Sequence, residues 1–216
     1  FYVTISFVKI ELTNIKPTYM SEAEVATSDI YLQDSVVFEK GKKYLITANS
    51  GHGKTSILNF IYGNNINFNG QISYNTTFDG NVFNLRKTNI SYLFQDLKLF
   101  PGLSVFQNIQ LKNTITNHKT VDQIDRLIEQ VLLSQKRDNL VNTLSLGQKQ
   151  RVAIIRAICQ PFKFLLLDEP FSHLDENNIK IISTIINQEI KNNNASLIIT
   201  SLANKYSFDY DKVLNL

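Results

Sequence analysis

The stretch Tyr44-Leu45-Ile46-Thr47-Ala48-Asn49-Ser50-Gly51-His52-Gly53-Lys54-Thr55 restricts the fold more than any other part of the sequence. A short apolar run closes on a glycine-containing loop. Helical spacing then runs from Thr55 to Tyr62 and stops near Gly63. This predicts strand, loop and helix in succession, the setting in which backbone N–H groups turn inward on an anion at a positive helix end. Gly51 and Gly53 supply the conformational freedom, and Asn49, Ser50, His52 and Ser56 complete the candidate phosphate cradle. Lys54 brings an ammonium to phosphate oxygens, and the Thr55 hydroxyl offers Mg²⁺ the hard oxygen donor it prefers. Ala48 stands where the strict pattern has glycine, a departure that crowds the loop if the backbone there must take positive φ.

Further along, the apolar run Phe164-Leu165-Leu166-Leu167 ends in Asp168-Glu169-Pro170. In a parallel sheet, ligands bind at the carboxyl ends of the strands. Asp168 is therefore a candidate to hold Mg²⁺ through water, and Glu169 to orient or deprotonate a water. Leu144-Ser145-Leu146-Gly147-Gln148 opens the helix that carries Arg151 and Arg156, so Ser145, Gly147 and Gln148 sit at a positive helix end that can take an anion. The simpler reading, in which Ser145 only caps its helix, stays open.

These motifs are strung on an α/β pattern. Val3 to Leu12 and Ile30 to Phe38, with the turn Glu39-Lys40-Gly41-Lys42, predict an antiparallel β beginning. From Leu97 to Asn142 no strand is predicted. There Val121, Ile124, Leu127, Ile128, Val131 and Leu132 fall on one face of a helix over Val121 to Ser134. A helix from about Leu146 to Gln160, a strand Phe164 to Leu167, a helix Glu176 to Lys191 and a strand Ser196 to Thr200 then predict a parallel sheet with right-handed crossovers. The Asn-rich pieces Asn64 to Asn69 and Asn192 to Asn194 read as loop tips.

Composition removes several classes. Hydrophobic residues make up 43% of the chain, including 14 Phe and 9 Tyr, which supplies a packed core and argues against disorder. The net charge of +3 comes from scattered Lys and Arg, so no nucleic-acid arm is read. No run approaches the ~18 apolar residues of a membrane span, and any link to a membrane is expected through a partner. Cys159 has no cysteine to pair with and lies in an apolar run, and neither it nor His52, His118 and His173 shows transition-metal spacing. The sequence opens on Phe1 and its single methionine is Met20, so the native start is expected to lie outside it.

Taken in order and spacing, Ala48 to Thr55, Gln95, Leu144 to Gln148, Leu167-Asp168-Glu169-Pro170 and Ser172-His173-Leu174-Asp175 resemble the nucleotide-binding domains of ABC transporters. The resemblance runs from about residue 6 to the C-terminus. It implies a P-loop NTPase α/β core with a parallel sheet, an antiparallel β subdomain on the N-terminal side and an inserted α-helical subdomain. The implied division is 1–95 with 143–216 as core and β subdomain, and 96–142 as helical subdomain.

ATP and Mg²⁺ are the implied ligands and ATP hydrolysis the implied reaction. Two such domains would pair head to tail, with Ser145 and Gly147 serving the partner's ATP. Gln95 would reach Mg²⁺ or water, and Asp175 would support the dimer contact or cap its helix. Tyr19 is the better match for the adenine-stacking aromatic, with Tyr31 nearby as the other candidate. The stretch from Leu99 to Ile109 resembles the groove that receives a helix of a transmembrane permease subunit. The resemblance thus implies a place at the inner face of the cell membrane, on the cytoplasmic side, through that permease. The compact length is similar to that of export and lipoprotein-release subunits. One departure concerns Ser201, which stands where most of the family has a histidine at the γ-phosphate; a serine hydroxyl offers one hydrogen bond and no charge. Two readings remain beside the transport ATPase: a non-transport clamp, and a regulatory module with weak hydrolysis.

Overall fold

A computed structural model of the chain describes residues 9–49, 53–75, 81–202, 206 and 208–216. Strand β1 (Lys9–Pro17) pairs antiparallel with β2 (Ser35–Glu39), opposing Ile10 to Phe38 and Leu12 to Val36. Its other edge pairs antiparallel with β4 (Phe68–Tyr74). This three-stranded sheet turns Ile10, Leu12, Val36 and Phe38 inward, the period-two alternation of a half-buried strand.

The larger sheet is parallel throughout. Its order is β5 (Ile90–Leu93), β6 (Phe164–Asp168), β7 (Ser196–Ser201), β3 (Lys43–Thr47), β8 (Lys212–Asn215). Helices cover both of its faces, which is why β6 reads as an unbroken apolar run and is buried along its whole length. Successive residues feed opposite cores. Leu165 and Leu167 join the cluster built with α6 (Leu146–Ile158) and α7 (Glu176–Asn193). Phe164 and Leu166 join the one built with α2 (Lys54–Tyr62) and the antiparallel sheet.

The smaller helices are α1 (Glu22–Val25) after β1 and α3 (Val82–Thr88) before β5. Between Gln95 and α6 the chain forms α4 (Val105–Thr114), α5 (Val121–Gln130) and two 3₁₀ turns, Ser134–Lys136 and Val141–Thr143. Ser104, Thr120 and Ser145 each begin a helix with a reciprocal capping box, closed by Gln107, Gln123 and Gln148.

Several sequence-based boundaries move. Residues 3–8 lie outside the described residues; the strand described from Lys9 runs to Pro17, past the expected end at Leu12. Ile30 to Asp34 is not strand; Ile30 and Tyr31 are buried in the turn before β2. The helix expected over Val121 to Ser134 stops at Gln130, because Leu132 takes the left-handed φ of 59° and is exposed. Ile124, Leu127, Ile128 and Val131 keep the buried face, whereas Val121 is 48% exposed. Asn69 belongs to β4, not to a loop tip. Asn192 and Asn193 extend α7, which Asn194 closes with φ 44°.

Candidate functional site

The parallel sheet brings four strand ends to one edge. Ala48 and Asn49 follow β3, β6 ends in Asp168 with Glu169 next, β7 ends in Ser201, and two residues beyond β5 stands Gln95. Helix α2 starts at the same edge, so its positive end faces the two carboxylates.

The turn into α2 depends on Gly53, the helix N-cap, at φ 87°. A Cβ there would lie 2.7 Å from Met20 Cε, the mobile end of a flexible side chain, and 3.4 Å from the Tyr31 hydroxyl, so it is the left-handed backbone that calls for glycine. Ala48 avoids positive φ, and its β-carbon is therefore accommodated without strain. Ser50, Gly51 and His52 lie outside the described residues. Ser56 is half-buried in the first turn of α2.

Lys54 is 5% exposed. Its ammonium donates to Ala48 O at 2.8 Å and Asn49 O at 2.9 Å and stands 3.3 Å from Glu169 Oε1. The loop backbone thus aims this cation across the edge at Glu169. Thr55 Oγ1 donates to Gln95 Oε1 at 3.1 Å, joining α2 to the segment after β5. Those two residues, with Asn59, Tyr92, Phe94 and Asp96, line a cleft of about 310 Å³.

Asp168 is 1% exposed, and burial pushes its carboxyl above the usual carboxylate range. Hydrogen bonds from Thr200 and Tyr92 oppose that rise, and the charge of Glu169 adds to it. Thr200 Oγ1 donates to Asp168 Oδ1 at 2.7 Å, and Tyr92 OH to Oδ2 at 3.4 Å. Glu169 takes φ 45°, a left-handed conformation that costs a non-glycine residue on the order of 1–3 kcal/mol. Neighbours hold it there. Its N–H donates to Thr200 Oγ1 at 3.1 Å, and its carbonyl accepts from Gln150 Nε2 at 3.1 Å and Ser172 Oγ at 3.2 Å.

The other expected residues are placed as follows. Tyr19, 54% exposed, presents its ring to solvent, whereas Tyr31 is 1% exposed in the core and cannot stack on a ligand from there. Ser145 caps α6: Gln148 N–H donates to its hydroxyl, and Gln148 Oε1 accepts from its N–H. Gly147 packs so closely that a Cβ would lie 2.7 Å from His173 O. Among the described residues no hydrogen bond or ion pair ties this helix end to Lys54 or Thr55 of the same chain. Asp175 caps α7 through Asn178. Ser201 is 1% exposed, its carbonyl accepting from Ala48 N–H at 3.4 Å, so it forms part of the wall behind the loop. Histidine-like charge is absent at that position, and Lys54 is the cation within ion-pair distance of Glu169 among the described residues.

Sequence reasoning passed over Tyr92, Gln150 and Thr200. Gln150 had a usable signal: it is polar at a position one helical turn before Ile154, on the face that α6 buries.

The family profile described as ABC transporter matches residues 32–172, which hold Lys54, Thr55, Gln95, Ser145, Asp168 and Glu169. The chain belongs to the ABC transporter family, as an ATP-binding, ATP-hydrolysing cassette.

Relatives agree with that assignment. The chain is 30% identical over 195 residues to the lipoprotein-releasing system ATP-binding protein LolD of Buchnera aphidicola subsp. Schizaphis graminum, spanning 86% of this chain and 83% of LolD. It is 36% identical over 148 residues to the spermidine/putrescine import ATP-binding protein PotA of Thermotoga maritima, covering 65% of this chain and 39% of PotA. Among solved structures, a Pyrococcus furiosus chain described as an ABC transporter ATP-binding protein superposes with TM-score 0.73 at 20% identity, over 96% of this chain and 97% of the other. The dimeric bacterial ABC transporter cassette MJ0796 gives 0.69 at 22% identity, over 88% and 87%. These likenesses establish that the cassette has the ABC ATPase fold. Among the described residues no helix is long and apolar enough to cross a membrane.

Proposed function

We propose that this cassette powers a membrane transporter by pairing with a second ABC ATPase domain around ATP and Mg²⁺. The observation that carries the reading is the convergence of Lys54, Thr55, Gln95, Asp168 and Glu169 on one edge of the parallel sheet. In this reading Lys54 exchanges its loop carbonyls and Glu169 for phosphate oxygens, with Asn49 to Ser56 supplying backbone N–H groups. Glu169 orients the attacking water and takes its proton. Tyr19 offers its exposed ring to the adenine.

The oxygens present fit Mg²⁺. Ligands at 2.0–2.1 Å and right angles stand about 2.9 Å apart, and Thr55 Oγ1 and Gln95 Oε1 are separated by 3.1 Å. Thr55 and Gln95 would hold the ion directly and Asp168 through water. When bound, Mg²⁺ neutralises charge on the β- and γ-phosphate oxygens.

Among the described residues, Ser145, Gly147 and Gln148 make no hydrogen bond to Lys54 or Thr55 of the same chain, which suits service to the ATP of a partner domain. Leu99 to Ile109, with Phe100 55% exposed, would meet a permease helix and so hold the cassette at the cytoplasmic face of the membrane. LolD is matched over 83% of its length and PotA over 39%, which favours an export or lipoprotein-extraction assembly over an importer.

Light scattering tests the pairing. Glu169→Gln with ATP and Mg²⁺ should move from monomer to dimer. A variant that stays monomeric even with its transmembrane partner present contradicts the reading.

A further inference from the structure

Gln150 is a polar residue buried to 2% exposure in the middle of an apolar helix face, a costly placement unless both ends of its carboxamide are satisfied. Both are. Nε2 donates to Glu169 O at 3.1 Å, and Oε1 accepts from His173 N–H at 3.2 Å. One partner is a carbonyl and the other an N–H, so only one orientation of the amide meets both.

We infer that Gln150 is a positioning residue for Glu169, and that its amide couples the capped end of α6 to the carboxylate at the hydrolytic edge. The inference rests on the ATPase reading above and adds a residue to it. Glu169 leaves the strand with φ 45°, and the peptide that follows it carries the carbonyl Gln150 grips. Fixing that peptide plane fixes how the Glu169 side chain departs from the backbone toward Lys54. The second half of the amide fixes the chain at His173, whose own carbonyl lies against Gly147. Residues 169–173 are therefore clamped to the first two turns of α6 at two points, the Gln150 amide and the Gly147 contact. A displacement of Ser145 or Gly147 by a ligand at that helix end must pass into the backbone of Glu169. In a paired assembly this would tell one site's water-orienting carboxylate whether the other site is filled.

The test uses Gln150→Met, which keeps length and apolar packing but neither hydrogen bond, and Gln150→Glu, which keeps only the acceptor. Both should lower kcat for ATP roughly 10- to 100-fold, the scale of a misplaced catalytic group. KM and calorimetric MgATP affinity should stay within twofold of wild type. Gln150→Met placed on Glu169→Gln should lower the residual rate no further, because the residue it positions is already disabled. Hydrogen exchange reads the clamp without turnover: the His173 amide should exchange at least tenfold faster in Gln150→Met, while Val152 to Ile158 keep their protection. Unchanged kcat in both variants, or an equal loss of kcat and nucleotide affinity with protection lost along all of α6, would overturn the inference and leave the ATPase reading intact. Absence of turnover in the wild-type cassette would remove that reading itself.

Discussion

Lys54 Nζ and Glu169 Oε1 stand 3.3 Å apart, joining the first residue of α2 to the residue that follows β6. The side chains are 5% and 15% exposed, so each supplies the charge that makes the other tolerable at a largely dry sheet edge. The two residues do different work in the proposed chemistry, and their variants should separate. Lys54→Ala removes the phosphate's cation and should weaken MgATP binding roughly 10- to 100-fold in calorimetry, the equivalent of losing one or two charged hydrogen bonds. Glu169→Gln should bind MgATP as wild type does and lose on the order of 10²–10⁴ in steady-state turnover. Unaltered nucleotide uptake in Lys54→Ala would remove the assignment of the loop.

Asp168 sets function against stability. Burial is the largest influence on its carboxyl and disfavours the charged form, while Thr200 and Tyr92 donate to its oxygens. Asp168→Asn keeps an acceptor for Thr200 and removes a buried charge. The thermal midpoint should rise by about 2–4 °C, the change expected from roughly 1 kcal/mol in a domain of this size. Mg²⁺-dependent ATP turnover should fall at least tenfold. A midpoint that drops would show that the charge is stabilised by its hydrogen bonds more than burial opposes it.

The residues legible in the sequence are those whose meaning is local. Lys54 and Thr55 follow a strand and a glycine loop, and Asp168 and Glu169 end an apolar run, so a few neighbours suffice to define them. The parallel sheet was legible for the same reason, through unbroken apolar strands alternating with periodic helices. What could not be read depends on distant contacts. Gln150 acquires its role from a carbonyl 19 positions away, and Thr200 bonds an amide 31 positions away. Apolar spacing also failed at Leu132, where a left-handed backbone ends α5 while the hydrophobic pattern continues. Spacing alone favoured Tyr19 over Tyr31, and burial adds what spacing could not show, that Tyr31 lies in the core while Tyr19 is exposed.

Lys119 and Glu189 tie the start of α5 to α7. Lys119 Nζ donates to both carboxylate oxygens, at 3.0 and 2.9 Å, and each side chain is 10% exposed. Breaking such a pair from one side strands a buried charge, whereas replacing both with apolar groups is far cheaper. Glu189→Leu should therefore destabilise the fold by about 3 kcal/mol, and Lys119→Met with Glu189→Leu should recover most of that loss. Urea midpoints at constant slope measure both. A double variant no better than the single one would mean that packing, not the stranded ammonium, sets the cost.

Cys159 closes α6 at 0% exposure, and burial pushes its thiol up from an ordinary value of 9.0 to about 12. The positive charge of Lys119 works weakly against that rise, and the negative charge of Glu189 adds to it. Thiol reagents attack the thiolate, so two barriers act together in the folded cassette: access and ionisation. In the unfolded chain the group ionises near its ordinary value, while the folded state retains the proton until much higher pH. The thiol's contribution to stability is thus whole below about 9 and is lost as pH climbs toward about 12. Labelling with a maleimide or a disulfide reagent at pH 8 should be undetectable in native protein and complete in denaturant. At pH 10, native labelling should proceed at the rate of global unfolding. Rapid modification of folded protein at pH 8, with the far-ultraviolet spectrum unchanged, would show that α6 opens locally at its C-terminal end.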